Sequence, residues 1–147
     1  MLGYDQYHSH VNPYENVITP GDVRHVTFYW KNTIGNVASS GPELRSSPVE
    51  QNGIIYVGSS TAKLFALSQN KGANLWMFST RGAIDSTPVV SNSVVYAGSN
   101  DHNVYALDAI KGTMLWSFTT GGPIDASPTV VSNVRGRGAS NLRLEKD

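Results

Sequence analysis

Residues 46–85 laid over residues 86–125 without a gap agree at 18 of 40 positions. Many of the differences are conservative, as in Ile54/Val94, Ile55/Val95 and Phe65/Tyr105. Pro48, Pro88 and Pro128 fall at the same interval, each after a small pair: Ser46-Ser47, Ser86-Thr87 and Ala126-Ser127. Trp76 and Trp116 keep the interval too. A period of this length means that one supersecondary unit is copied, and that each copy buries its apolar face against the next.

Each unit reads as four short strands. Pro48-Val49 and Pro88-Val89-Val90 open a strand, where proline costs no ladder hydrogen bond. Asn52-Gly53 and Asn92-Ser93 supply hairpin turns, since Asn and Gly accept positive φ. The continuous apolar runs Ile54–Val57 and Val94–Ala97 suit strands buried on both faces. Gly58-Ser59 and Gly98-Ser99 end them. Third strands follow at Lys63–Leu67 and Asn103–Leu107. Fourth strands, at Asn74–Phe78 and Met114–Phe118, are entered through Lys71-Gly72 and Lys111-Gly112. Nothing shows a sustained helical period. Four strands every 40 residues predict the blades of an all-β propeller built from four-stranded antiparallel sheets.

The divisions that follow are a lead-in over 1–45, blades at 46–85 and 86–125, the start of a third blade at 126–133, and an off-pattern tail at 134–147. Val26–Trp30 resembles an outer strand like Asn74–Phe78. However, Trp30 is 46 residues before Trp76, and Asn36 stands where the period would put a tryptophan. Closed propellers need roughly four to eight blades, so the expected object is incomplete, with blade faces and strand edges open to self-association. In the tail, Val134-Arg135-Gly136-Arg137 replaces the Val-Tyr-Val-Gly that the repeat predicts, and a shifted reading frame interconverts the two. Asn141 to Asp147 likewise hides Tyr-Ala-Leu, the Tyr105-Ala106-Leu107 element, in another frame. Residues 134–147 are therefore expected to be frame-shifted and poorly packed.

Ala106-x-Asp108-x-x-x-Gly112-x-x-x-Trp116 resembles the tryptophan-docking motif of the pyrroloquinoline-quinone repeat family. The copy at Ala66, Gly72 and Trp76 has Ser68 in place of the aspartate. Gly3-Tyr4-Asp5-Gln6-Tyr7-His8 and Asn12-Pro13-Tyr14-Glu15-Asn16 are similar to the family's lead-in segment. The resemblance implies that Trp76 and Trp116 wedge between neighbouring blades, both largely buried, while Gly72 and Gly112 leave room for the indole. It also implies a periplasmic or extracellular setting, although Met1 to His10 lack the basic-then-apolar pattern of a signal peptide.

Two function classes remain. One is a non-catalytic binding or scaffold propeller, resembling the outer-membrane assembly lipoprotein, with protein partners and no cofactor. The other is part of a quinoprotein dehydrogenase, for which the resemblance implies a quinone and calcium at the propeller axis. The residues favour the first. The chain has no cysteine, so the adjacent-cysteine disulfide typical of many such enzymes is absent. Eleven basic and eleven acidic residues cancel, leaving no electrostatic footprint for nucleic acid. No apolar run approaches the roughly 20 residues of a membrane span.

Other combinations are better read as structure. His8 and His10 lack a third ligand at suitable spacing for a metal. Asp5, His8 and a serine have nothing to place an oxyanion hole. Asp85 and Asp125 occupy the same repeat position, which suits a blade link rather than a catalytic pair. Gly121-Gly122 lacks the helix and lysine of a phosphate loop. Arg135, Arg137 and Arg143 belong to the off-pattern tail. No catalytic, cofactor-binding or metal-binding residue is expected.

Overall fold

The computed structural model describes residues 29–32, 34, 44–132 and 140–144. The first full sheet consists of β1 (Val49–Gln51), β2 (Ile54–Ser59), β3 (Lys63–Ser68) and β4 (Asn74–Ser79). The second repeats it as β5 (Val89–Ser91), β6 (Val94–Gly98), β7 (Asn103–Asp108) and β8 (Met114–Thr119). A third sheet has two strands, β9 (Pro128–Ser132) and β10 (Ser140–Leu144). Each full sheet is an antiparallel meander in sequence order. There is no helix among the described residues.

Local chemistry accounts for the turns. Between β1 and β2, Asn52 and Gly53 both take positive φ, at 55° and 78°. Asn92 and Ser93 repeat this at 51° and 61°, the pairing that matches the twist of a tight hairpin. The registers Val49↔Tyr56 and Val89↔Tyr96 are consequently identical across the repeat. Strands β2 and β6 are buried along most of their length. Each lies between two partner strands of its sheet.

Between the full sheets lies a core in which Tyr56, Leu64, Ala66 and Ile84 meet Val95, Ala97, Leu107 and Ala109. A smaller cluster of Val57, Phe65 and Leu67 lies on the opposite face of the first sheet, with Trp30, Ile34 and Ile55 against it. The crossovers between sheets are pinned in the same way each time. Ile84 packs over Gly58, and its N–H donates to the Ser59 carbonyl at 3.0 Å. Ile124 packs over Gly98 and donates to Ser99 at 3.2 Å.

One expectation needs correction. Residues 140–144 are not unpaired, because β10 runs antiparallel to β9 with Thr129 opposite Arg143. An unpaired β9 would leave a row of N–H and C=O groups open, and Asn141-Leu142-Arg143-Leu144 has the polar–apolar alternation of a strand. The rest of the tail lies outside the described residues. Of the outer strand expected at Val26–Trp30, residues 26–28 lie outside the described residues, and Tyr29 and Trp30 are assigned to no strand.

Candidate functional site

The seam between the two full blades brings Trp76 onto Gly112, whereas Gly72 lies under Trp30 and Trp116 is 41% exposed. Ala66 and Ala106 are fully buried and sit opposite Trp76 and Trp116 in the β3–β4 and β7–β8 ladders. At the β7–β8 turn the Asp108 carboxylate accepts from the N–H groups of Ile110 and Lys111 at 2.9 and 2.8 Å. The Gly112 N–H closes the turn onto the Asp108 carbonyl at 2.8 Å. Gly112 has φ 69°, a conformation that L side chains adopt only with strain. The first blade makes the same closure from Gly72 to the Ser68 carbonyl at 2.7 Å.

This turn receives the tryptophan of the preceding blade. Trp76 Nε1 donates to the Ala109 carbonyl at 2.9 Å, and the same carbonyl accepts from the Tyr56 hydroxyl at 3.1 Å. The ring of Trp76 covers Gly112 and leans on Tyr56 with centroids 5.8 Å apart. Phe78 meets Tyr105 edge-on across the seam at 5.3 Å.

Trp30 repeats the arrangement one blade earlier. Its Nε1 donates to the Gln69 carbonyl at 2.6 Å, and its ring covers Gly72. Asn32 Nδ2 donates to the Gly72 carbonyl beside it. Gln69 and Gly72 are the repeat partners of Ala109 and Gly112. The irregular spacing therefore concealed a tryptophan equivalent in contact, and the aromatic run Phe28-Tyr29-Trp30 was the available signal.

Trp116 departs from the expectation of burial. It is 41% exposed, touches Tyr96 at 5.9 Å, and meets no accepting carbonyl among the described residues. The face it would need, a further β3–β4-type hairpin, is not part of the two-stranded third sheet. Ile110, Met114 and Phe118 are exposed beside it.

Acidic side chains are engaged in local structure. Asp101 accepts from the Arg81 and Asn103 N–H groups and from the Tyr105 hydroxyl at 2.7 Å. Burial works against its ionisation, but these hydrogen bonds outweigh it and hold the carboxyl below its ordinary value. Burial, then the Asp101 carboxylate, pushes Tyr105 up to about 12. Burial, reinforced by the charge of Asp108, also raises Tyr56. Asp85 accepts from Asn100 Nδ2 at 2.9 Å, joining the crossover to the second blade, and Glu50 accepts from the Gly53 N–H at 2.8 Å. Asp125 is exposed. No group of three or more His, Cys, Asp or Glu that could hold a metal ion occurs among the described residues. No helix there is long and apolar enough to cross a membrane. His8, His10 and Asp5 lie outside the described residues. A groove of about 580 Å³ opens on the first blade's free face, lined by Trp30, Ile34, Leu44, Ile55, Val57 and Leu67 among others.

Repeated four-stranded sheets joined through tryptophan, glycine and a backbone carbonyl are blades of a β-propeller of the pyrroloquinoline-quinone repeat type. The family model described as outer membrane protein assembly factor BamB matches residues 25–143, and the chain belongs to that family. Among solved structures, BamB from Moraxella catarrhalis is similar at 30% identity and TM-score 0.52, over 57% of this chain and 27% of that one. The quinohemoprotein alcohol dehydrogenase ADHIIG from Pseudomonas putida HK5 shares the fold at 23% identity and TM-score 0.53, over 58% and 15%. The computationally designed protein Ika8 does so at 16% identity and TM-score 0.52, over 58% and 27%. This chain thus spans about a quarter of the length of the Moraxella protein. No curated protein matches it.

Proposed function

We propose that the chain is part of a non-catalytic propeller that serves as a binding or scaffold module for protein partners. The match to the assembly-factor family over residues 25–143 carries this reading. It is supported by how the blades use their polar groups. Glu50, Asp85, Asp101 and Asp108 each hold a turn, a crossover or a strand end through at least one carboxylate oxygen. In the same reading Ala66, Gly72, Trp76, Ala106, Asp108, Gly112 and Trp116 are blade-docking residues. Trp30 joins them.

The test is calorimetric titration of the chain with pyrroloquinoline quinone in the presence of calcium. The scaffold reading expects no stoichiometric complex. A tight one-to-one complex would instead favour descent from a quinoprotein dehydrogenase.

A further inference from the structure

The tight turn between β1 and β2 carries a reactive pair that its repeat partner lacks. Asn52-Gly53 stands where the second blade has Asn92-Ser93. The two turns share one conformation, with φ of 55° and 78° in the first and 51° and 61° in the second. An asparagine side-chain amide is open to attack by the backbone nitrogen of the residue after it. Glycine leaves that approach unhindered because it has no Cβ, whereas Ser93 crowds it. Asn52 is exposed, and a Cβ at Gly53 would meet nothing within 4 Å, so water reaches the pair.

The blades differ at a second position of the same turn. The Gly53 N–H donates to Glu50 Oε1 at 2.8 Å, and the repeat partner of Glu50 is Val90, which has no side-chain acceptor. This hydrogen bond falls on the nitrogen that would attack. In a turn with positive φ at both central residues, ψ of the first is about +30°, which turns the Gly53 nitrogen away from the Asn52 side chain. Attack requires that peptide plane to swing round and the nitrogen to lose its proton. Glu50 opposes both steps. It holds the N–H in the orientation of the turn, and its carboxylate charge disfavours a second negative charge on the nitrogen.

We propose that Asn52 is a site of spontaneous covalent modification, deamidation by its own backbone, and that Glu50 is the latch that restrains it. When the latch opens, the deprotonated Gly53 nitrogen attacks Asn52 Cγ. The N–Cγ bond forms, the Cγ–Nδ2 bond breaks, and ammonia leaves with the proton that Gly53 gave up. Water then opens the cyclic imide at one carbonyl or the other, leaving aspartate or isoaspartate; nothing is oxidised or reduced. Either product sets a new carboxylate near Glu50. Isoaspartate also adds a methylene to the main chain of a two-residue turn whose flanking pair is Gln51↔Ile54, so the inner hairpin of the blade does not close again in its old register.

Peptide mapping by mass spectrometry tests this on the full chain, incubated at mildly alkaline pH in water enriched in heavy oxygen, with Glu50→Ala and Gly53→Ala as variants. Far-UV circular dichroism checks that Glu50→Ala stays folded. Heavy oxygen should enter the folded parent slowly at position 52, and Glu50→Ala should speed this about fivefold, the scale of one net hydrogen bond. Position 92 should react far more slowly and at the same rate in both. In concentrated urea the parent and Glu50→Ala should react equally fast, and both faster than the folded parent, while Gly53→Ala stays slow. A folded Glu50→Ala chain no faster than the parent would overturn the proposal. So would equal acceleration at position 92, which would mean general loosening, or a difference between parent and Glu50→Ala that persists in urea.

Discussion

Trp76 lies so close over Gly112 that a Cβ at that position would stand 2.5 Å from its Cδ2. The two residues belong to different blades, and neither position is free to vary alone. Glycine is required twice over, by the covering indole and by φ 69°. Gly112→Ala is therefore expected to destabilise the chain by about 2–3 kcal/mol, combining overpacking with backbone strain. Gly53→Ala has a φ of 78° with nothing near its added Cβ and should cost about 1 kcal/mol, from strain alone. Urea denaturation of the two variants separates these contributions.

Truncating the tryptophans should give unequal losses. Trp76 is half-buried and bonded to Ala109, so Trp76→Ala should cost about 3 kcal/mol. Trp116 is 41% exposed, and Trp116→Ala should cost below about 1 kcal/mol when measured under dilute conditions. Denaturant midpoints report the difference. Equal losses would mean that the indole–carbonyl contact contributes nothing.

How much of this was legible in the sequence follows from what sets each feature. Strand positions and turn types could be read because Asn52-Gly53, the apolar runs and the prolines are local signals repeated in register. The pairing of Asp108 with its turn was visible as a motif, with its physical reason supplied by two backbone N–H groups. Trp30 was not legible as a docking residue, because its role depends on a contact with Gly72 across the fold while its spacing breaks the period. Burial of Trp116 was inferred, with that of Trp76, from the docking motif, yet burial belongs to whatever stands beside a residue and not to its motif. The pairing of β10 was missed for a similar reason. An open ladder recruits any strand of suitable alternation, whatever its place in the repeat.

Asp108 and Ser68 offer a comparison between blades at one position. Asp108→Ala removes the acceptor of two backbone hydrogen bonds and should cost about 1 kcal/mol. Ser68→Asp should restore that arrangement in the first blade and raise stability by about 0.5 kcal/mol. Thermal melting of the two variants checks both signs.

Stability should fall at both pH extremes through Tyr105 and Asp101. Tyr105 is held protonated up to about 12, above its ordinary 10.0, so its contribution is complete below about 10 and is lost as pH rises from there to about 12. Asp101 is held below the ordinary carboxylate value. Its contribution is complete above that value and is lost as pH falls through the lowered one. Tyr105→Phe should flatten the alkaline limb of a melting-temperature profile, and Asp101→Asn the acid limb. Unchanged limbs would remove the pair from the account.

The central claim is that Trp30 and Trp76 are each held by the blade that follows. Indole N–H exchange, followed by NMR on dilute chain, addresses this directly, because protection reports hydrogen bonding and exclusion of water residue by residue. The indole protons of Trp30 and Trp76, bonded to the carbonyls of Gln69 and Ala109, should exchange slowly, and that of Trp116 quickly. Exchange of Trp76 as fast as that of Trp116 would contradict the account.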